Sequence, residues 1–344
     1  MFSGGIVDSG TILAGSDGIL VGNGGVVSGG IQVSSKGAIS AGKSGIVVEN
    51  TATFAGGITD SGKITAKSHG ILVSNVAMFG SGGPGGGITN TGAISVSNAA
   101  IEVSKNLGSF TGGISNSGKL TALGEGIFVS SVAVFGNSSS GGGITKSGTI
   151  SAGQSGIRVG LVFTSFSGGI SNASSGKIVS TSGIGIFVGT SIGVFGNPSA
   201  GGGITNSGTI SAHQSGILLQ NFTTFAGGIG NSGKIAGGLG IALKTIAVFG
   251  NPNAEGGISN TGTISAANQG IFVDRVTTFG GTIVNSGKYD RHQRWQFCIF
   301  RRQLIRRRHH QQWNNQRVGT RYRSPRCRQL RRGRCQQQCD RGAS

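Results

Sequence analysis

One phrase recurs along most of this chain and constrains its fold more than any other feature. It reads Gly-Gly-Ile, two polar residues, Ser or Thr, Gly, a variable residue and Ile. A period of about 20 to 50 residues is typical of solenoids, in which each repeat stacks on its neighbours. Successive copies of the phrase are about 25 to 34 residues apart, within that range. Its first isoleucine is found at Ile6, Ile31, Ile58, Ile88, Ile114, Ile144, Ile170, Ile204, Ile229, Ile258 and Ile283.

Two further markers divide each repeat into three short apolar steps, as expected of a solenoid coil. The phrase Gly-Ile-x-Val, or one close to it, follows at a regular distance in most repeats, with its isoleucine at Ile71, Ile127, Ile157, Ile217, Ile241 and Ile271. A phenylalanine usually follows this second phrase, again at a regular distance, and the set is Phe54, Phe79, Phe135, Phe166, Phe195, Phe225, Phe249 and Phe279.

The apolar steps have the pattern of β-strands. In segments such as 204–210 and 127–129, apolar and small polar residues alternate with period two, whereas a helix would show period 3.6. β-Branched residues are abundant, and Gly-Ser or Asn-Ser-Gly turns bound each step. The sequence therefore predicts an all-β fold, a parallel β-helix of about eleven coils, with equivalent Ile, Val and Phe stacked roughly 4.8 Å apart.

The repeat also has a recurring place in its pattern for a Gly-Gly pair and for an asparagine, and the asparagine leaves two alternatives open. The Gly-Gly pair before the isoleucine predicts corners with positive φ. One phase of the repeat holds asparagine, at Asn90, Asn116, Asn206, Asn231, Asn260 and Asn285. These side chains either stack into a buried amide ladder or each form an exposed turn.

Ser-, Gly-, Asn- and Pro-rich inserts vary the length of the repeat at one place. They occupy 80–85, 136–142, 196–202 and 250–255, at about every second coil. In solenoids such a row of loops is often the binding face, and the simpler alternative is that the inserts are solvated spacers.

Composition changes sharply after Lys288. Residues 1–288 hold 13 Lys or Arg and 8 Asp or Glu, a net charge of +5, whereas residues 289–344 hold 16 Arg and two Asp, a net charge of +14. All four Cys, both Trp and both Tyr also follow Lys288. We expect a β-solenoid domain over 1–288 and a disordered, Arg-rich tail over 289–344.

The tail has the features of a frameshifted continuation of the repeats. When it is reverse-translated with CGN codons for Arg and read one nucleotide later, the segment from His309 onward accommodates 204–212 at all nine positions. The hidden phrases also keep the repeat's spacings. The charge is then a by-product of coding, so the tail would bind nucleic acid or membranes only non-specifically. Cys335 and Cys339, with His309 and His310, match no strong zinc pattern.

No catalytic, cofactor-binding or metal-binding residue is predicted. The P-loop phrase and the calcium nonapeptide do not occur. His69 and His213 each precede a Gly-Ile phrase and are expected to be exposed turn residues. A catalytic solenoid needs clustered carboxylates, although coil stacking could bring Asp60 close to a neighbour. The acids of the repeat region are scattered, at Asp8, Asp17, Glu49, Asp60, Glu102, Glu125, Glu255 and Asp274.

The repeats resemble the passenger domains of bacterial autotransporters. The segments that carry the resemblance are 202–212 and 225–229, and the resemblance covers 1–288 and, in the shifted frame, most of the remainder. It implies a right-handed parallel β-helix at the surface of Gram-negative cells, with an unknown surface, glycan or protein ligand. The chain departs from the family because it shows neither a signal peptide nor a translocator barrel, so an internal fragment is expected.

Three functions compete at this stage. The first is a structural or adhesive surface rod without catalysis, and the second is a β-helical enzyme acting on polysaccharide. The third, non-specific nucleic-acid binding, concerns the tail alone. No stretch of about 18 apolar residues occurs, so no transmembrane helix is expected.

Overall fold

A computed structural model describes residues 1–80, 86–136, 142–161, 163–196, 202–250, 256–289 and 294–298. Contacts divide the chain into two units, 1–311 and 312–344, and the second lies outside the described residues. The described part of the first unit is a parallel β-solenoid whose elements are strands joined by turns and bends, without a helix. The all-β prediction is confirmed. Each coil contributes one strand to each of three rows.

Row 1 is a parallel sheet of 11 strands, and each strand begins at the isoleucine of one Gly-Gly-Ile phrase. Each strand pairs in register with the strand of the next coil, as Ile88 does with Ile114. The strands are Ile6–Asp8, Ile31–Val33, Ile58–Asp60, Ile88–Asn90, Ile114–Asn116, Ile144–Lys146, Ile170–Asn172, Ile204–Asn206, Ile229–Asn231, Ile258–Asn260 and Ile283–Asn285.

Row 2 follows a Ser-Gly or Thr-Gly turn in most coils, and its outward residues, which are exposed or half-buried, alternate with more buried inward residues. In Lys63–Ala66, for example, Ile64 and Ala66 face inward while Lys63 and Thr65 face outward. Its strands are Thr11–Ala14, Ala38–Ala41, Lys63–Ala66, Ala93–Val96, Lys119–Ala122, Thr149–Ala152, Lys177–Ser180, Thr209–Ala212, the first parts of Lys234–Phe249 and Thr263–Phe279, and Lys288–Tyr289.

Row 3 begins at the Gly-Ile-x-Val phrase and is bent in its middle. The strands are Ile19–Gly22 with Val26–Val27, Ile46–Phe54, Ile71–Phe79, Ile101–Ser104 with Leu107–Phe110, Ile127–Ser130 with Val132–Phe135, Ile157–Gly160 with Phe163–Phe166, Ile186–Phe195, Ser215–Phe225, the second parts of Lys234–Phe249 and Thr263–Phe279, and Arg294–Cys298. At the bend, each coil from the first to the tenth has one or two residues other than Gly at φ of 51 to 70°, in the left-handed region that favours Asn. These residues are Asn23, Asn50, Asn75, Lys105, Asn106, Ser131, Leu161, Thr190, Ser191, Asn221, Thr245 and Arg275.

Isoleucine, valine and phenylalanine columns from the three rows meet in a single continuous core. The phenylalanines that close the coils stack ring on ring, with centroids 4.6 to 5.1 Å apart and planes within 29° of parallel. This Phe column contains all eight predicted rings and also Phe110, which the marker pattern missed. The column runs through Phe54, Phe79, Phe110, Phe135, Phe166, Phe195, Phe225, Phe249 and Phe279.

The Phe column also sets the number of complete coils. Nine turns close on a stacked phenylalanine, slightly fewer than the eleven coils predicted. The first coil has Val27 at this position, paired with Phe54, and the last coil is only partly described. Strand pairing nevertheless continues past Lys288, since Arg294–Cys298 aligns in parallel with the last long strand.

Positive φ explains only part of the Gly-Gly pattern. Of the glycines directly before the row-1 isoleucine, only Gly113 and Gly169 have positive φ among the described residues. Elsewhere the constraint is the neighbouring coil: a Cβ on Gly87 would lie 2.3 Å from the carbonyl oxygen of Gly113. The predicted positive φ is therefore wrong at most of these glycines. A side chain is excluded at these positions because the backbone of the neighbouring coil lies too close, and not because the chain makes a left-handed turn.

Candidate functional site

The row-1 strands bury a column of polar side chains, here called the polar ladder. Asparagine side chains in it are linked from coil to coil: Nδ2 of Asn90 donates to Oδ1 of Asn116 over 2.6 Å. The same bond joins each successive pair from Asn172 to Asn285, over 2.5 to 2.7 Å. Of the two alternatives left open by the sequence, the buried ladder is correct. The ladder runs through Asp8, Val33, Asp60, Asn90, Asn116, Lys146, Asn172, Asn206, Asn231, Asn260 and Asn285.

Lys146 interrupts the polar ladder with a buried amine. Its side chain is 2% exposed, and Nζ donates to Oδ1 of Asn172 over 3.1 Å and to the carbonyl of Gly148 over 2.5 Å. Burial lowers the pKa of Lys146 to about 8, because the charged form loses its hydration. The sequence pattern did not single out this residue, although it occupies the asparagine phase.

A second interruption leaves two acceptors facing each other. Asp60 pairs in register with Asn90, and among the described residues neither Oδ2 of Asp60 nor Oδ1 of Asn90 has a hydrogen-bond partner. Burial raises the pKa of Asp60 to about 6, although the hydrogen bond from the Gly62 N–H lowers it. A proton on Oδ2 would supply the donor that Asn90 lacks, so the neutral acid suits this position better than the carboxylate.

Chemistry-bearing side chains also meet at the corner between rows 2 and 3. Oγ of Ser68 lies 2.9 Å from Nδ1 of His69, and Nε2 of His69 lies 2.9 Å from Oε2 of Glu102 on the next coil. Ser104 donates to Oε1 of Glu102 over 2.6 Å. Burial raises the pKa of Glu102, but the hydrogen bonds from His69 and Ser104, with the charges of His69 and Lys105, outweigh burial and leave the pKa below its usual value.

This corner cluster corrects the prediction for one of the two histidines. His69 is not an exposed turn residue, since its side chain is only 15% exposed and is paired with Glu102. The two residues belong to different coils and are distant along the chain, so only the stacking of the coils brings them together. His213, by contrast, is exposed in a bend between strands, as predicted.

The order hydroxyl, imidazole, carboxylate is also the order of a nucleophilic relay. In the tautomer with hydrogen on Nε2, His69 donates to Glu102 and accepts from Ser68, whereas in the other tautomer Nε2 accepts from Nδ2 of Asn98, which also lies 2.9 Å away. Catalysis would further need a hollow beside the hydroxyl that could hold a substrate. Among the hollows of the described residues, two of about 220 and 280 Å³ lie on the outer side of row 1, and these two are not lined by Ser68, His69 or Glu102. The contact between His69 and Glu102 ties two neighbouring coils together.

Of the other acids that the sequence analysis considered, two lie in the interior and two form ion pairs between coils. Asp8 and Asp60 lie in one column, two coils or about 10 Å apart, a separation that glycosidase carboxylates also show. Both side chains are buried, at 8% and 0% exposure, so a polysaccharide has no access to them. Asp17 pairs with Lys43 on the next coil over 3.3 Å, and Glu125 pairs with Arg158 on the next coil over 3.4 Å.

The remaining predicted sites are only partly open to description. Glu255 lies outside the described residues, as do most residues of the four inserts and the tail residues His309, His310, Cys335 and Cys339. In the described part of the chain, no group of three His, Cys, Asp or Glu is placed to hold a metal ion. Nor does that part contain a helix that is long and apolar enough to cross a membrane.

No protein-family model, curated protein sequence or solved structure matches the chain.

Proposed function

We propose that this chain is a structural and adhesive repeat, displayed at the cell surface as part of an autotransporter-like passenger, and that it has no catalytic activity. The observation that carries the proposal is the unbroken interior, in which nine phenylalanine rings stack at one spacing. A solenoid of this kind is stabilised by contacts between neighbouring coils, so its length can grow without a change of architecture.

The distribution of polar groups supports the absence of catalysis. The buried acids Asp8 and Asp60 face the core, and each of Glu102 and Glu125 is engaged with a side chain on a neighbouring coil, His69 and Arg158 respectively. Long sheet faces remain for contact with other molecules. A repeating surface of this type binds through many weak contacts, as adhesion to a repeating ligand requires.

Adhesion is tested with the full chain coupled to fluorescent beads. We expect such beads to be retained on cultured epithelial cells or on glycan-coated wells, and beads carrying heat-denatured chain to be washed away. Retention equal to that of albumin-coated beads on every surface would contradict an adhesive role. Cleavage of a glycan, abolished by Ser68→Ala or Glu102→Gln, would contradict the absence of catalysis.

The relation to autotransporters is tested independently by the DNA around the coding region. We expect sequence for a signal peptide upstream and for a translocator barrel downstream, with one base gained or lost near codon 288. An intact reading frame through the Arg-rich tail in several isolates would contradict the frameshift.

A further inference from the structure

The outer face of row 2 carries a regular column of lysines. Register pairing places lysine on every second coil, with Ala or Thr on the coils between. This lysine column consists of Lys63, Lys119, Lys177, Lys234 and Lys288, and all five side chains are exposed. Successive lysines are about 10 Å apart, and the column spans roughly 38 Å.

The charges of the lysine column are not neutralised within the described residues. None of the five lysines forms an ion pair there, since the ion pairs of this part involve Lys43, His69, Arg158 and Arg275. The row-2 strands themselves contain no Asp or Glu. A flat face with one sign of charge attracts a ligand of the opposite sign.

Hydroxyl groups accompany the lysines along the same face. The second outward position of the row-2 strands holds mainly Ser and Thr, such as Thr65, Ser95, Thr121, Ser151 and Ser211. These groups both donate and accept hydrogen bonds. The face therefore combines a positive charge on every second coil with hydroxyls on most coils, although Val179 and Ala236 take the second outward position on the coils of Lys177 and Lys234.

We propose that the outer face of row 2 binds an extended acidic polysaccharide that carries one carboxylate per disaccharide. Two sugar rings of an extended chain span a length of the same order as two coils, so each carboxylate can meet one lysine while the sugar hydroxyls meet Ser and Thr. This inference rests on the proposed adhesive function and names its ligand class.

The spacing and the polarity argue against the other polyanions. Duplex DNA presents one charge per about 1.7 Å of its axis, far more densely than lysines two coils apart. Proteins that lie on anionic membranes combine basic residues with apolar or aromatic anchors, whereas the outward neighbours of the lysine column are mainly hydroxyls. Each exposed lysine contributes little alone, so affinity depends on several contacts made together.

The test is lysine footprinting on the full chain with hyaluronan, which has one carboxylate per disaccharide, and with neutral dextran. Amines are acetylated with an activated ester, and each site is quantified by mass spectrometry. We expect hyaluronan to slow acetylation of Lys119, Lys177 and Lys234 about threefold, and to leave Lys105 and Lys244 on row 3 unaffected. The readout ignores the Arg-rich tail because arginine is not acetylated.

A charge-neutral double variant tests the spacing. Exchanging Lys177→Thr and Thr149→Lys keeps the composition and moves one lysine by one coil. We expect the affinity for hyaluronan to fall about fivefold. The triple variant Lys105→Gln, Lys244→Gln and Arg275→Gln removes three charges from row 3 and is expected to bind hyaluronan as the parent chain does.

Three results would overturn the inference: equal protection of all lysines, an unchanged affinity in the exchange variant, or stronger protection of the column by phosphatidylserine vesicles than by hyaluronan. If hyaluronan gives no protection while beads coated with the chain still adhere, the ligand class is wrong and adhesion stands. If the beads do not adhere either, the proposed function fails with it.

Discussion

Two interior columns of the solenoid differ in how regularly the same residue is repeated from coil to coil. The Phe column of row 3 is unbroken over nine coils, whereas the polar ladder of row 1 is interrupted by Val33, Asp60 and Lys146. Stacked phenylalanine rings contain no hydrogen-bond donor or acceptor, so the Phe column has no direction. An amide ladder has a direction, because each Nδ2 donates to the Oδ1 of the next coil. A residue that lacks one of these groups leaves a buried partner unsatisfied, so substitution affects the two columns differently.

The largest effect is expected in the Phe column. Phe166→Ala removes a fully buried ring from between two others, and we expect a loss of about 3–5 kcal/mol in the free energy of unfolding. Urea unfolding followed by circular dichroism measures it. Phe279→Ala at the end of the column removes a ring that, within the part of the chain that the structure describes, stacks only on Phe249, so the loss in the free energy of unfolding should be smaller. Equal losses at both positions would show that stacking between coils is not what these rings contribute.

In the polar ladder, substitution of Lys146 is expected to increase the free energy of unfolding, whereas Phe166→Ala decreases it. Lys146→Asn replaces a buried ammonium with the amide that its neighbours carry, and we expect a gain of about 2–3 kcal/mol at pH 7. The pKa of Lys146 is lowered from 10.5 to about 8, so the parent chain becomes more stable as pH rises from about 8 to 10.5. The advantage of the variant should shrink over that range. Lys119→Asn, which removes an exposed lysine, is the control and should change stability little.

Asp60→Asn should extend the polar ladder by one coil. The new Nδ2 can donate to the unpartnered Oδ1 of Asn90, while Oδ1 still accepts from the Gly62 N–H. We expect a gain of about 1–3 kcal/mol at pH 7 or above. The pKa of Asp60 is raised from 3.8 to about 6, so the parent chain gains stability as pH falls from about 6 to 3.8 and the difference should narrow. Urea midpoints at pH 4, 5.5 and 7 measure it.

The exchange Asp274→Asn is the control for that pH series, since Asp274 bonds to Arg275 at the surface. A difference between Asp60→Asn and the parent chain that stays constant from pH 4 to 7 would mean that Asp60 does not titrate in this range.

The smallest effect is expected outside both columns, at the exposed bend of row 3. Leu161 has φ of 66°, a conformation that is unfavourable for leucine and accessible to asparagine. Leu161→Asn should gain about 1 kcal/mol, and the reverse change Asn221→Leu should lose a similar amount. Thermal unfolding of the two variants checks the pair. Effects as large as that of Phe166→Ala would mean that the bend, and not the core, holds the coils together.

The comparison of columns also shows what the sequence could reveal. Period two places the first and third residues of Ile-Thr-Asn on one side of the strand, and Asn206 is buried with its isoleucine for this reason, but the repeat alone left the buried ladder and the exposed turn as alternatives. The same rule applies to Lys146, but a charged residue in a core column contradicts ordinary burial and was not anticipated. The Phe column was predicted from its spacing, with the omission of Phe110.

The corner cluster could not be predicted from the pattern of the repeat. His69 and Glu102 occupy different positions in their coils, and their contact depends on which way each side chain leaves the corner. The reason for the Gly-Gly pattern could not be predicted from the sequence either, because it is the close approach of the backbone of the neighbouring coil. Columns of like residues can be predicted from period and register, whereas contacts between unlike positions require the geometry of the corners.

The stacking of coils can be measured most directly by the distance between equivalent positions on different coils. Spin labels at Ser40 and Ser151, four coils apart in the second outward column of row 2, should be separated by about 19 Å. Labels at Ser40 and Ala236, seven coils apart, should be separated by about 34 Å. The measurement is pulsed electron resonance on a chain with its four tail cysteines replaced by serine. Distances that grow by about 5 Å per coil are expected, and distances that do not grow with the number of coils between the labels would contradict the stacked solenoid.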